Sequence, residues 1–344
     1  MTTQNGSRRT LLLLLACLTL LVLVASLRYG AIDFSFADII KALGSLIPGH
    51  PEPTLDQRIF LELRFSRAIL CLLVGASLGV GGTLMQALFR NPIVEPGLVG
   101  TSSGAAFGSA FFFVLGGAFH FGTSLWSLPI AACLGGIVST YLVFLLARSR
   151  EDGRSSIVML LLTGLAVNAL FMSAIGFLSY MARDPQARSI TFWSLGTLSG
   201  ASWKAVQIVA ISTIVGSVIS LRYAKQLNAL MIGEEEATYL GVNVNRLKWI
   251  ILSVNVFIVA VATAFTGVIS FVGLVVPHIL RMSGGADNRF LIIGSALTGA
   301  TLLTLADLIA RLCVRPAELP IGIVTSAVGV PVFIFLLRRR QYVF

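Results

Sequence analysis

LNALMIGEEEATYLG, residues 227–241, is a polar island between two long apolar runs. Its reading decides the fold. If the flanking runs cross a membrane, the island lies on the surface between two spans. Gly233 interrupts it, so the pattern predicts two short helices, about Lys225–Ile232 and Glu234–Leu240. Glu234, Glu235 and Glu236 fall in the first turn of the second, where unsatisfied N–H groups carry partial positive charge and favour carboxylates. Gly241 sits where a left-handed residue would end that helix. Arg222 and Lys225 precede the island, and Arg246 and Lys248 follow it. It reads as a short helix pair on the membrane surface that presents a face to a partner. Taken locally, an ordinary charged loop fits the same pattern.

The bulk composition favours the membrane reading. The 344 residues are 56% hydrophobic and 12% charged, and mean hydropathy is +0.90. A soluble domain carries about 25% charged residues. A membrane helix needs roughly 20 apolar residues, so the chain has room for about ten spans. The apolar runs are too long for barrel strands, which makes the class all-α and polytopic. The net charge of +10 is no nucleic-acid signal, because basic residues stand singly or in small groups at the ends of apolar runs. Cys17, Cys71, Cys133 and Cys313 lie in or beside apolar segments, with neither zinc nor disulfide spacing. Arg8–Arg9 followed by Thr10–Leu27 mimics a signal peptide. It lacks a clear small-residue cleavage site, so it is read as an uncleaved first helix.

In order, spans are expected at about Thr10–Arg28, Ile59–Phe89, Gly100–Leu115, Ser124–Ala147, Ser156–Met181, Trp203–Tyr223, Trp249–Ile269, a short element at Ser270–Arg281, Phe290–Arg311 and Pro320–Leu337. An amphipathic patch, Phe36–Leu46, and the segment Ala182–Ser202 lie outside. Arg90–Asn91–Pro92 and Glu95–Pro96–Gly97 form a broken cytoplasmic re-entry. On this layout Arg8, Arg9, Arg90, Arg148, Arg150, Arg154, Arg222, Lys225, Arg246, Lys248, Arg281, Arg289 and Arg338–Arg340 are cytoplasmic, 15 of the 25 basic residues. That bias puts both termini inside, hence an even number of spans. GGTLMQALFRNPIVEPGLVG in the first half and GVISFVGLVVPHILRMSGG in the second are matching interruptions. They suggest two inverted five-helix repeats, about 10–181 and 203–338, within a single domain spanning 1–344, with a pathway at their interface. Gly and Pro are also common in membrane helices generally.

No catalytic constellation appears: there is no GxxxxGK[ST], GxSxG or HExxH. His50, His120 and His278 are scattered and suggest no metal site. Acids inside spans are scarce. Asp307 is the main one, and Arg311 at i+4 is placed to pair with it. Ion-coupled pumps use intramembrane carboxylates, so the driving energy is expected to enter from elsewhere. Arg64, Arg67 and Arg311 are placed at outer helix ends, where headgroup snorkelling is the simple alternative to a sharper role.

Four stretches together resemble the permease family of ABC importers for iron–siderophores, haem and vitamin B12. They are LRFSRAILCLLVGASLGVGGTLMQALFRNPIVEPGLVGTSSGAAFG (63–108), GEEEATYLGVNV (233–244), GVISFVGLVVPHILRMSGGADNR (267–289), and LADLIARL with AELPIGIVTSAVGVPVF (305–333). The resemblance implies a ten-helix subunit of a homodimer in the bacterial inner membrane, working with two cytoplasmic ATPase subunits and one periplasmic binding protein. The 225–241 segment matches the family's coupling helices, through Leu230, Gly233, Glu234, Glu235, Glu236, Ala237, Leu240 and Gly241. Arg64, Arg67 and Arg311 match positions that receive glutamates of the binding protein. Gly100, Ser102, Ser103 and Gly104 are expected along the pathway. ATP and Mg2+ belong to the partner ATPase, and no cofactor or metal is expected on this chain. The outer segment SITFWSLGTLSGASW, 189–203, looks more like the haem members. His120, Tyr180 and Met181 are the residues that could touch haem in passage. Ferric siderophore and cobalamin transport are the alternatives within the family. A stand-alone secondary transporter is the alternative outside it.

Overall fold

The computed structural model describes residues 2–30, 32–46, 52–117, 124, 126–147, 157–315 and 317–338. Among them every regular element is helical: α1 (Thr2–Arg28), α2 (Phe36–Gly44), α3 (Leu55–Ile59), α4 (Ser66–Leu88), α5 (Thr101–Leu115), α6 (Ser127–Leu146), α7 (Ile157–Met181), α8 (Asp184–Ser194), α9 (Trp203–Ile232), α10 (Glu234–Tyr239), α11 (Val244–Thr266), α12 (Val272–Gly284), α13 (Asn288–Leu312) and α14 (Ile321–Arg338). A π turn, Phe60–Phe65, joins α3 to α4 and carries Arg64. Seven helices are long and apolar enough to cross a membrane: α1, the continuous Leu55–Leu88 helix, α6, α7, α9, α11 and α13. Apolar helices α5, α12 and α14 are shorter. His50, His120, Arg148, Arg150, Arg154, Arg339 and Arg340 lie outside the described residues.

The centre of the fold is α4, which packs against α9, α11, α12 and α13. Its glycines explain how. A methyl group on Gly75 or Gly79 would collide with the carbonyls of Gly299 and Ser295 on α13, and one on Gly82 with that of Gly273 on α12. Close backbone approach substitutes for the hydrophobic drive that lipid does not supply. Hydroxyls complete the contacts, with Thr83 Oγ1 donating to Ser295 Oγ at 2.8 Å and Ser77 meeting Thr213 at 2.7 Å. At the periphery α1 and α7 leave Leu13, Leu14, Leu20, Leu162, Leu165 and Leu170 exposed, as a surface facing lipid requires.

The amphipathic patch forms α2, started by a capping box in which Asp38 N–H donates to Ser35 Oγ and Ser35 N–H to Asp38 Oδ2. The Ser35 hydroxyl donates to Asp38 Oδ2 at 2.6 Å, and this bond, with that from the Ser35 N–H, holds the Asp38 carboxyl below its usual range. The segment 182–202 contains α8.

The two interrupted segments meet. The first turns through Arg90 (φ 49°), a 3-10 turn at Pro96–Val99, and Gly100 (φ 88°). The second turns through Gly267 and Phe271, each at φ 69°. Phe271 donates its N–H to Glu95 Oε1 at 2.9 Å, so a carboxylate from one break caps the helix that follows the other. Glu95 stands in a turn rather than a span, where its sequence context gives no sign of a distant partner.

One predicted element is corrected. Residues 225–232 are not a separate helix. They are the last two turns of α9, which runs unbroken from Trp203 to Ile232, and the break comes only at Gly233. The polarity of Arg222, Lys225 and Asn228 marks where the helix leaves the apolar layer. It does not mark where the hydrogen-bond ladder ends.

Candidate functional site

Two charged ends frame the bundle. At one end α1 finishes beside the π turn and the C-terminal part of α13. Asp307, wholly buried on α13, accepts from Arg67 Nη2 at 2.8 Å and Nε at 3.1 Å through Oδ1, and from Arg311 Nε at 2.9 Å through Oδ2. The i+4 pairing of Asp307 with Arg311 is as the spacing predicted. Arg311 gives its other donors to the Tyr29 carbonyl and to Ser26 Oγ, the latter at 2.7 Å. Arg64 donates to the carbonyls of Tyr29 at 2.6 Å and Ile32 at 2.8 Å. Arg67 Nη1 reaches Glu318, in the connection between α13 and α14, at 2.8 and 3.0 Å. The expected row of three exposed arginines is therefore corrected. Arg311 is only 4% exposed, and Arg64 and Arg67 are partly buried. A guanidinium leaves water only when its donors are satisfied, and α1, Asp307 and Glu318 satisfy them. Glu318 and the carbonyls of Tyr29 and Ile32 carry no sequence signal for this, since each lies far in the chain from the arginine it meets.

At the opposite end the island forms its cap. Gly233 is an extended break, α10 follows with all three glutamates in its first turn, and Gly241 (φ 82°) ends it. Lys248 Nζ, buried at the start of α11, donates to Glu234 Oε2 at 2.8 Å and holds the short helix to the bundle. Ala237 and Leu230 are wholly buried and cannot meet a partner directly. Expected among the coupling positions, they instead fill the joint between α9, α10 and α11 and act as anchors. The outward face consists of Ile232, Glu235, Glu236, Tyr239 and Leu240, with Tyr239 88% exposed. Behind the joint, Asn228 donates to Asp287 at 3.0 Å, and Arg8 donates to Asp287 at 3.3 Å and to the Gly284 carbonyl at 2.7 Å. The start of α1, the end of α9 and the α12–α13 turn are thus tied together beneath the island.

The small residues at the start of α5 are placed differently from expectation. Gly100 and Gly104 are buried against α6, where a side chain on Gly104 would strike the Gly135 carbonyl and Ser139. They serve helix contact, not an open wall. Ser103 donates to Asn168 of α7, and Ser102 is half-buried near Gly97. Tyr180 and Met181 are exposed at the end of α7. Among the described residues no group of three His, Cys, Asp or Glu could hold a metal.

The combination is a membrane bundle with one closed ionic end and one outward-facing amphipathic cap. The sequence profile of the FecCD transport family matches residues 18–339. The chain belongs to the FecCD transport family. It is 39% identical over 340 residues to the hemin transport system permease HmuU of Yersinia pestis, covering 98% of both chains. It is 37% identical to the vitamin B12 import permease BtuC of Vibrio cholerae, covering 84% of this chain and 85% of that one. The molybdate import permease MolB of Haemophilus influenzae is 32% identical over 98% of both. A solved structure described as a metal-chelate type ABC transporter in an inward-facing conformation superposes with a TM-score of 0.83 at 31% identity, over 96% of this chain and 99% of that one. This FecCD chain is therefore a permease of the ABC importer class, and the relatives' names carry hemin, vitamin B12 and molybdate.

Proposed function

We propose that this permease carries haem from a periplasmic binding protein to the cytoplasm by alternating access, as one half of a homodimer of ten-span subunits in the bacterial inner membrane. Two ATPase subunits bind ATP and Mg2+; this chain binds no cofactor of its own. The haem assignment rests on one observation, the end-to-end similarity to a hemin permease. The seven long and three shorter apolar helices support the ten-span reading.

The island is the ATPase contact. Ile232, Tyr239 and Leu240 offer apolar side chains for a cleft, and Glu235 and Glu236 surround them with negative charge. The anchors, Leu230, Ala237 and the Lys248–Glu234 pair, make movement of the cap movement of α9 and α11. At the other end the arginine cluster, with Arg67 foremost, receives carboxylates of the docked binding protein. Charged pairs of this kind orient a partner and speed its encounter. The packed glycines of α4 and α5 let rigid helices pivot, and the pathway itself forms between the two subunits.

The deciding experiment is uptake into proteoliposomes that contain the permease, its ATPase and its binding protein, comparing haem, a ferric siderophore and cobalamin. ATP-driven uptake of haem alone is expected. Uptake of another chelate would move the substrate within the class. Uptake of any substrate without the ATPase would overturn the importer mechanism for this chain.

A further inference from the structure

The outer cluster holds two carboxylates of opposite character. Asp307 is wholly buried and lies between Arg67 and Arg311, taking a bond from each through a different oxygen. It cannot leave without stranding two guanidinium groups in the bundle. Glu318 stands in the connection between α13 and α14 with its side chain 39% exposed, and among the described residues its carboxylate holds Nη1 of Arg67 alone. The backbone beside it is fixed, since Leu319 donates to the Ala310 carbonyl and Ile321 to that of Gly196. The carboxylate can therefore rotate away while the main chain stays in place. Against the pair lies a cavity of 280 Å³ walled by Arg67, Glu318, Phe192, Thr197, Leu198 and Ser199, with the hydroxyls of Thr197 and Ser199 2.8 Å apart on its rim.

The donor inventory of the three arginines narrows what an incoming acid could meet. Arg311, 4% exposed, has given its Nε, Nη1 and Nη2 to Asp307, Tyr29 and Ser26, and Arg64 has Nη1 and Nη2 on the carbonyls of Tyr29 and Ile32, which hold its guanidinium against the segment after α1 while further N–H donors remain. Arg67 has Nε and Nη2 on Asp307, which leaves the Nη1 edge now covered by Glu318. A further carboxylate added there without displacement would gather three negative groups on one guanidinium.

We infer that Glu318 is a stand-in carboxylate. In the free permease it occupies the edge of Arg67 that an acidic side chain of the binding protein takes on docking, and docking exchanges one carboxylate for the other. Asp307 and Arg311 are positioning residues that keep Arg67 aimed outward. The inference rests on the docking role proposed above. The exchange conserves the number of ion pairs, so docking gains orientation without excessive affinity, and release returns Arg67 to its own partner rather than leaving it bare.

The test measures the affinity of the substrate-binding protein encoded with this permease for the purified permease–ATPase complex, at several salt concentrations, with melting temperature as the folding control. Glu318→Gln and Glu318→Ala remove the competitor, and each should bind roughly fivefold tighter, the scale of a partly exposed ion pair, with a steeper loss on adding salt. Arg67→Gln should bind more weakly, and Glu318→Gln added to it should restore nothing. If Arg67→Gln weakens binding while both Glu318 variants bind as the parent does or more weakly, the exchange is wrong and the docking role survives. If Arg67→Gln folds and binds as the parent does, the docking role itself is wrong.

Discussion

The two charged ends of this permease are built on opposite plans. At the outer end Arg67, Asp307 and Arg311 are drawn into the bundle and satisfied by one another and by α1. At the island end Glu235 and Glu236 stand in solvent beside Tyr239 and Leu240, and a single buried lysine ties the cap down through Glu234. The first arrangement resists change, because losing any member leaves a buried charge. The second tolerates change in stability and concentrates its sensitivity in the partner it meets. On the proposed function, the contrast suits one end that presents an arginine in a fixed direction to the binding protein and another that transmits force through contact with the ATPase.

The contrast breaks most sharply at Asp307. Asp307→Asn should cost about 3–5 kcal/mol, because Arg67 and Arg311 lose their shared counter-charge inside the bundle. Thermal unfolding in detergent measures it, and a loss below about 1 kcal/mol would mean that water reaches the cluster. At the island, Tyr239→Ala should weaken ATPase binding by about 2 kcal/mol, as an exposed aromatic anchor does, with stability held to within about 0.5 kcal/mol. Titrating the detergent-solubilised permease with the ATPase reads the first, and a melting curve reads the second. An unchanged affinity would remove Tyr239 from the contact.

Lys248→Met tests the tie between the island and the bundle. Glu234 is partly exposed and can turn to water, so the expected loss is about 1 kcal/mol or less, accompanied by faster hydrogen exchange confined to α10. Faster exchange spread evenly along α11 as well would argue against a local tie. The smallest effect belongs to Glu235→Gln with Glu236→Gln. The melting temperature should stay unchanged, while the salt dependence of ATPase association flattens. A drop in melting temperature would show that these carboxylates support α10 through its N-terminal dipole more than they serve a partner.

Much of the architecture is legible without coordinates because the membrane imposes it. The apolar runs, the acidic first turn of α10 and the left-handed Gly241 are all local, and local rules predict them. The failures share a different cause. Residues 225–232 look like a separate helix because their polarity changes at Arg222, yet hydrogen bonding within α9 ignores polarity. Gly100 and Gly104 look like the wall of a route because they are small, and what consumes their smallness is α6. Arg64, Arg67 and Arg311 look exposed because arginine at a helix end commonly is.

By itself the sequence determined an all-helical membrane permease, its family, the limits of most spans, and the pairing of Asp307 with Arg311 one turn away. Only the tertiary structure decided that Arg67 shares that aspartate across 240 positions, that Glu318 covers its remaining edge, and that Glu95 caps the helix beginning after Phe271. The reason is physical. A local pattern fixes what a residue needs, whether a hydrogen-bond partner, a counter-charge or room for a close approach. Which distant segment supplies it depends on how whole helices pack.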